Sequence, residues 1–312
     1  MLCLQEMSIT NLSSTTDLEK IASIAHGIRH RVLEHTVKNN GGYLSQACSS
    51  AEILACLYTN LVNLKALAAP LEPRDFVHVP SKNFTDYVTG AEFHGERGPD
   101  LDRLFVSPAH YALVIYAALI ETGRLTEKSL EKFNKDGTTV EMIGAEHSPG
   151  FETTTGSLAQ AISQAGGVAL ARKLRGETGK TWIFMSDGEF QEGQTWEALA
   201  AISFHKLNNV RVIVDVNRNQ VDGPMEKVMS IEPLIDRIKN FGWDVEKIDG
   251  NDINQILKAC STGNDKPKAI LGYTDPAKGI EILKDRPDAL HYVRFASPFE
   301  KIKYNNFLKA WK

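Results

Sequence analysis

The chain is poor in the features that mark several protein classes. It has four cysteines in 312 residues. None forms a Cys-x-x-Cys pair, so no zinc site or redox pair is indicated, and we expect reduced thiols in a cytoplasmic protein. No apolar run approaches the ~18 residues of a membrane span, and the N-terminus lacks the basic and apolar regions of a signal peptide. The net charge of −4 argues against nucleic-acid binding.

The stretch from residue 181 to 223 has the most informative pattern. Apolar, partly β-branched runs at Thr181–Met185 and Val210–Val216 predict two buried strands. Between them, apolar residues recur at helical spacing over 197–207. Strand, helix and strand form the unit of a parallel sheet. A similar pattern follows up to Tyr273, so we predict an α/β fold: a doubly wound parallel sheet of five or more strands, with helices on both faces.

Polar residues follow both predicted strands where each one ends. Asp187 follows the first strand and Asn217 follows the second. Since the carboxyl ends of parallel strands share one edge of the sheet, both side chains can reach one crevice. Carboxylate, amide and carbonyl oxygens suit Mg²⁺ or Ca²⁺, with water or phosphate completing the coordination. Gly188 lets a bulky anion approach the backbone, so we predict a cation and phosphate site.

The same stretch, SDGEFQEG followed by VDVNRNQVDG, resembles the thiamine diphosphate (ThDP) motif of transketolases. The family form is Gly-Asp-Gly-Glu, then an Asn at the end of the next strand and an Ile/Val-Asp-Gly. The resemblance implies that the side chains of Asp187 and Asn217 and the carbonyl of Asn219 bind Mg²⁺, or Ca²⁺ or Mn²⁺ in its place. Ser186 replaces the first Gly of the family motif.

The turn after the first predicted helix also resembles transketolase, with one departure. Gly42 is followed by Tyr43 where the family has a His that touches the sugar. A phenol can form hydrogen bonds but cannot exchange protons near pH 7 as His does. We predict that Tyr43 contacts the substrate, and the identity of the sugar donor stays open.

Three histidines lie in family-like stretches. His110 matches the His of Leu-Ser-x-Gly-His, which faces cofactor and sugar. The stretch EHSPGFETTTGSLAQA resembles the Gly-His…Thr-Gly motif and implies that His147 contacts ThDP phosphate and substrate. We predict that His110 and His147 transfer protons, with His291, in a stretch similar to the family's closing loop, as a further catalytic candidate. The resemblance also implies cofactor contacts from His110, Gly156, Ser157, Leu158, Asp187, Gly188, Glu189 and Asn217.

The pattern predicts one α/β domain over 15–298, after a lead-in at 1–14 and before a helical tail at 299–312, and the resemblance implies that this domain binds the ThDP diphosphate. Capping-box spacings at Thr16/Glu19 and Ser49/Glu52 predict two helix starts. Residues 65–103, rich in proline and glycine, look like a long loop insertion, which we predict to be a lid or a contact with a partner chain.

ThDP activation requires a Glu that transketolases carry in a second domain, and no second βαβ pattern follows Tyr273. The resemblance therefore implies the N-terminal subunit of a split transketolase, inactive alone. Its partner, a C-terminal subunit, would bring the pyrimidine-binding domain and the activating Glu in an α2β2 assembly. Glu192 matches a family Glu that meets the activating Glu across the interface.

The resemblance implies transfer of a two-carbon ketol unit from a ketose, phosphorylated or not, to an aldose. The alternatives are another ThDP enzyme subunit, such as the α-subunit of a 2-oxoacid dehydrogenase or deoxyxylulose-phosphate synthase, and a non-catalytic protein that keeps the fold. His205-Lys206-Leu207 and the Thr-Thr-Thr-Gly match favour transketolase. A specialised transketolase for apulose 4-phosphate or sulfofructose is a further alternative.

Overall fold

A computed structural model describes residues 15–79, 81–286 and 289–311. The predicted lead-in and the side chain of Thr16 lie outside the described part. The helices are α1 Thr15–Asn39, α2 Leu44–Cys56, α3 Ala112–Glu121, α4 Gln160–Leu174, α5 Gly193–Phe204, α6 Met225–Val228, α7 Leu234–Asn240, α8 Ile253–Ser261 and α9 Pro298–Ala310. The strands are β1 Arg103–Val106, β2 Thr181–Ser186, β3 Val210–Val216, β4 Asn219–Gln220, β5 Gly223–Pro224, β6 Asp244–Asp249 and β7 Lys268–Tyr273. Among the helices of the described chain, none is long and apolar enough to cross a membrane.

Five strands form one parallel sheet in the order β1-β2-β3-β7-β6. β2 and β3 are buried along their whole length, as expected when helices cover both faces of a parallel sheet. Their register pairs Ser186 with Asp215, which brings the ends of the two strands to the same level. The prediction of a doubly wound parallel α/β sheet is confirmed.

Two hydrophobic cores lie on opposite faces of the sheet. Alternate side chains of β2 point to opposite faces, so Phe184 belongs to the core with α1, α2, α3 and α8. Ile183 and Met185 belong to the core with α4, α5 and α7. The short strands β4 and β5 form a separate antiparallel pair directly after β3.

The capping box predicted at Ser49 and Glu52 is wrong. Helix α2 starts five residues earlier, at Leu44, directly after the glycine turn. The two polar side chains inside it make long-range contacts instead. The Ser49 hydroxyl donates to Asp215 at 2.6 Å, and Glu52 accepts two hydrogen bonds from Arg29 at 2.7 and 2.5 Å. The Ser-x-x-Glu spacing therefore reflects tertiary contacts and does not mark a helix start.

The insertion at 65–103 is attached to the domain by a buried polar cluster. Its short helix Gly90–His94 ends in a histidine that is 4% exposed. His94 lies 3.4 Å from Glu152, and Arg103 donates to the same carboxylate at 2.6 Å. At the other end of the chain, α9 packs on α1, where the Trp311 indole N–H donates to His26. The helical tail thus belongs to the same packed body.

Candidate active site

A cleft of about 360 Å³ opens at the carboxyl edge of β2 and β3. Its position follows from the sheet, because these two strands end side by side and polar turns follow both. The cleft is lined by Tyr43, Ala109, His110, Tyr111, Ile143, Gly156, Leu158, Ser186, Asp187, Gly188, Gln191, Glu192, Asn217, Asn219, Gln220, Val221, Asp222 and His291.

The two predicted metal ligands lie in this cleft. Asp187 is 2% exposed and Asn217 is 6% exposed. The Asp187 carboxylate accepts a hydrogen bond from the Arg218 backbone N–H at 2.6 Å, and the Asn217 amide oxygen accepts one from the Asn219 backbone N–H at 2.9 Å. The strand ends and the turn at 217–219 thus bring the predicted donor set together.

The electrostatics of Asp187 fit a cation. Burial raises the pKa of this carboxyl to about 8, and the nearby charge of Asp215 adds to the rise despite the hydrogen bond from Arg218. A divalent ion would stabilise the ionised form. Within residues 15–79, 81–286 and 289–311, no three His, Cys, Asp or Glu side chains cluster as metal ligands. The donor set here is of another kind, with one carboxylate and asparagine oxygens, which suits Mg²⁺ or Ca²⁺.

Tyr43, His110 and His291 form one wall of the cleft. The ring centroid of Tyr43 lies 5.5 Å from that of His110 and 5.7 Å from that of His291, and the two histidines are 5.1 Å apart. Burial lowers the pKa of His110 to about 3, and the neighbouring His291 adds to the shift. Burial also lowers the pKa of His291, although a hydrogen bond with the Asn219 backbone opposes this. Both imidazoles are therefore neutral near pH 7.

The remaining wall is formed by small residues and one acid. A Cβ atom added at Gly188 would meet no atom within 4 Å, and one added at Gly156 would meet only Ile143, at 3.8 Å. The backbone at both glycines is thus open to a ligand. Leu158 and Glu192 line the same cleft, with Glu192 directly before α5.

Three predicted site residues are not among the residues that line this cleft, and their roles stay predictions. His147 bonds Glu141 at 3.0 Å and packs on Phe76, with ring centroids 4.4 Å apart, so it lies outside the cleft, and Ile143 from the same segment lines it instead. Glu189 is fully buried and accepts hydrogen bonds from the backbone N–H groups of Ser186 at 2.8 Å and Ala159 at 3.0 Å. The Glu189 carboxylate thus binds backbone groups of its own chain. Ser157 is exposed beside the cleft.

Two residues at the candidate site were not predicted from the sequence. Tyr111 lines the cleft, and Asp215 lies fully buried beneath it. A signal for Asp215 exists, because an acid in the middle of the apolar run VRVIVDV is unusual and needs a partner. Nothing local distinguishes Tyr111 from an ordinary core tyrosine.

The fold and the cleft define a class: a parallel α/β domain whose strand ends can hold a cation and a phosphate group. The comparisons make this specific. Residues 91–279, more than half of the chain, match the family model described as transketolase, thiamine diphosphate binding domain. The chain belongs to the transketolase family, and the predicted family is confirmed.

Relatives of similar length carry the family name. The transketolase family protein y4mO of Sinorhizobium fredii, itself uncharacterized, is 34% identical over 86% of this chain and 88% of its own length. The 6-deoxy-6-sulfo-D-fructose transketolase subunit SqwG of Clostridium sp. is 30% identical over 86% of this chain and 89% of its own length. An apulose-4-phosphate transketolase subunit of Phocaeicola vulgatus is 27% identical over 88% of this chain and 89% of its own length.

Longer transketolases match only in part. The solved transketolase of Campylobacter jejuni superposes with a TM-score of 0.69 at 20% identity, over 96% of this chain and 48% of that one. The chain thus spans about half the length of the solved transketolase. This likeness supports the fold alone.

Proposed function

We propose that this chain binds ThDP and Mg²⁺ in the cleft and, with a second chain, transfers a two-carbon ketol unit from a ketose to an aldose. One observation carries the proposal: in a chain of the transketolase family, Asp187 and Asn217 meet in one cleft with His110, His291 and Tyr43. Ca²⁺ or Mn²⁺ would suit the same oxygen donors.

The residues of the cleft have different proposed roles in binding and proton transfer. ThDP, when bound, supplies a nucleophilic carbon and an electron sink for carbon–carbon cleavage. Asp187, Asn217 and the Asn219 carbonyl would hold the cation and thereby the diphosphate, and Gly188 and Gly156 leave space along the backbone. His110, neutral near pH 7, can accept a hydrogen bond from a sugar hydroxyl, and it stays our first candidate for proton transfer. His291 stands opposite as a second candidate for hydrogen bonding and proton transfer.

The proposal includes a partner subunit that carries the pyrimidine-binding domain and the activating Glu, in an α2β2 complex. Relatives named as transketolase subunits match along most of their length, which supports a two-chain enzyme. Glu192 at the start of α5 is our candidate for contact with the activating Glu. Three described cysteines, Cys48, Cys56 and Cys260, are buried free thiols, which suits a cytoplasmic location.

The substrate proposal rests on Tyr43. Burial raises the pKa of this phenol, so it stays protonated and can donate one hydrogen bond to a sugar oxygen. Apulose 4-phosphate and sulfofructose, the substrates in the names of two relatives, are our candidate ligands, and a sugar phosphate of central metabolism is the alternative.

The test measures ThDP binding and ketol transfer separately. We expect Asp187→Ala to abolish Mg²⁺-dependent ThDP binding in calorimetry, with the surface variant Asp265→Ala binding as wild type does. We also expect the chain alone to give no ketol transfer and activity to require the partner chain. Turnover by the single chain would refute the need for a partner, and decarboxylation of pyruvate would point to a 2-oxoacid dehydrogenase component.

A further inference from the structure

Asp215 lies inside the sheet and is fully buried. A buried carboxylate is unfavourable unless hydrogen bonds compensate for the lost water. Here three hydroxyl groups donate to it: Ser49 at 2.6 Å, Thr274 at 2.6 Å and Tyr111 at 2.9 Å. They come from α2, from the residue after β7 and from the short helix Ala109–Tyr111. Asp215 therefore ties three elements to the strand that ends at Asn217.

The same cluster holds the side chain of Asn217. Its amide nitrogen donates to the Tyr111 hydroxyl oxygen at 3.1 Å and points towards Asp215 at 3.4 Å. The Asn219 backbone N–H can only donate and points at the Asn217 amide oxygen, and Tyr111 gives its one hydrogen to Asp215. The NH₂ end of Asn217 must therefore face this cluster. Its oxygen must face the other way, towards the Asn219 N–H at 2.9 Å.

We propose that Asp215 and Tyr111 are positioning residues that fix the Asn217 amide with its oxygen towards the cation. The inference rests on the proposed function, because it concerns hydrogen bonds that orient a ligand of the proposed metal site. Hydrogen-bond direction runs from the Asn217 NH₂ to the Tyr111 oxygen and from the Tyr111 O–H to Asp215. Removing the Tyr111 hydroxyl takes away the nearer acceptor of the Asn217 NH₂, at 3.1 Å, and leaves Asp215 at 3.4 Å, so the amide is held less firmly. Removing the Ser49 hydroxyl leaves both contacts in place.

The decisive readout is metal preference. Mg²⁺ demands a near-ideal octahedron, and Ca²⁺ accepts flexible geometry. Loss of a group that orients a metal ligand typically weakens metal binding about 10- to 100-fold. We expect Tyr111→Phe to weaken Mg²⁺ binding by about that factor and Ca²⁺ binding clearly less. Lower stability alone would not change the ratio of the two affinities.

The experiment titrates Mg²⁺ and Ca²⁺ calorimetrically at saturating ThDP, with the full chain alone and with its partner chain. Ser49→Ala is the matched control. It removes a donor 2.6 Å from Asp215, so we expect a lower melting temperature with an unchanged Mg²⁺/Ca²⁺ ratio. Asp215→Asn should shift the ratio as Tyr111→Phe does, and if it does not fold, Tyr111→Phe alone decides. A wild-type ratio in Tyr111→Phe overturns the positioning role. Absence of any Mg²⁺-dependent ThDP binding by the wild type overturns the proposed function itself.

Discussion

At the scale of single residues, Gln46 controls the orientation of His291. Its amide oxygen accepts from the Ser45 hydroxyl at 3.0 Å, so its nitrogen faces His291. That nitrogen donates to the His291 carbonyl at 3.0 Å and lies 3.2 Å from Nδ1 of the ring. Nδ1 is therefore an acceptor, and the ring proton sits on Nε2. One side chain on α2 thus fixes both the ring and the backbone of the closing loop.

We expect Gln46→Leu to lower kcat/KM for ketol transfer by the assembled complex about 100-fold, since small displacements of a group in the site can have that effect. The change should leave ThDP affinity near that of the wild type, because the proposed cation ligands are untouched. Gln255→Leu, on α8, is the control and should keep full activity. Unchanged kinetics for Gln46→Leu would show that the orientation of His291 is unimportant.

A second residue-scale property is the acid sensitivity of His35 on α1. Burial lowers its pKa to about 4, and the charge of Lys38 adds to the shift. Its ring packs edge-on against Phe133 at 4.6 Å. Above pH 6.5 the folded and unfolded chains both hold it neutral. Between pH 6.5 and 4 the unfolded chain binds one more proton, so this residue makes the free energy of unfolding fall as the pH falls.

His35→Gln should therefore flatten the pH dependence of stability between pH 4 and 6.5. The slope should drop by up to about 1.4 kcal/mol per pH unit, the value for one proton. Urea unfolding at pH 5 and pH 7 measures this difference. The exposed His205, replaced by Gln in the same way, serves as the comparison. Equal slopes for wild type and His35→Gln would rule the explanation out.

At the scale of elements, the start of α4 holds an alanine in a conformation that favours glycine. Ala159 has φ of 64° and precedes the helix, and its N–H donates to Glu189 at 3.0 Å. Left-handed backbone costs an L-residue about 1 kcal/mol or more. Ala161, two residues later, is helical, and both side chains are fully buried. Replacing either alanine by glycine therefore removes the same buried methyl group, but from two different backbone conformations.

We expect Ala161→Gly to destabilise the chain by about 1–2 kcal/mol, from the lost methyl group and the greater freedom of glycine in the unfolded chain. Ala159→Gly loses the same methyl group but relieves the strained φ, so its cost should be lower by about 1 kcal/mol. Chemical denaturation of the two variants gives the difference directly. Equal costs at the two positions would mean that the left-handed φ stores no strain.

The elements also differ in how well the sequence predicts them. The bounds of β3 match its predicted run, Val210–Val216, because turn residues limit this β-branched run. Strand β7 ends at Tyr273, where the predicted strand pattern also ends. The start of α4, at Gln160, has no such limit in the sequence. The left-handed residue before it and the buried Glu189 carboxylate interrupt the helical pattern there, and neither is visible in apolar spacing.

The candidate site was predictable where it depends on topology. Asp187 and Asn217 meet because parallel strands end at one edge, which the strand pattern already implies. The contacts of His147 were not predictable, and its role stays a prediction. Glu141 lies six residues away, but Phe76 belongs to the insertion, and no local motif reports such a contact. The Asp215 cluster likewise joins residues as far apart as 49 and 274.

At the scale of the whole molecule, one buried acid joins the insertion to the sheet. The Glu152 side chain is 2% exposed and contacts His94, Arg103 and Arg97. Burial alone would raise its pKa, but the hydrogen bonds and charges of His94 and Arg103 outweigh this and hold the pKa at about 2. The ionised Glu152 therefore stabilises the folded chain. This stabilisation is fully present above the ordinary pKa of 4.5 and is lost as the pH falls towards 2.

Glu152→Gln should lower the free energy of unfolding by about 3 kcal/mol, because it leaves a partly buried Arg103 without its counter-charge. It should also increase proteolysis within residues 65–103, since the insertion loses its anchor. Asp86→Asn provides the comparison, because Asp86 lies 4.0 Å from Arg74 and is 98% exposed, so we expect no measurable change. If Glu152→Gln is as stable as wild type, the cluster does not hold the insertion.

The face formed by α4 and α5 is where we expect the partner chain to dock. Small residues along α4, including Gly166 and Gly167, and the apolar side of α5 line a groove there. Leu174 and Phe204 at the ends of these helices are 79% and 80% exposed. Helix α5 lines this groove and starts directly after Glu192, which lines the cleft, so we expect a chain that reaches the cofactor from this side to cover the groove.

Gly167→Trp tests this docking face at an exposed helix position where an added Cβ atom would meet no atom within 4 Å. We expect at least a tenfold loss of affinity for the partner chain in calorimetry or analytical ultracentrifugation, and a matching loss of ketol transfer at limiting partner concentration. Asn254→Trp places the same ring on α8, on the opposite side of the sheet, and should leave association unchanged. If the two tryptophan variants bind the partner equally well, the partner docks elsewhere. If a high concentration of the partner chain restores ketol transfer by Gly167→Trp, the substitution has weakened docking and has not damaged the cleft.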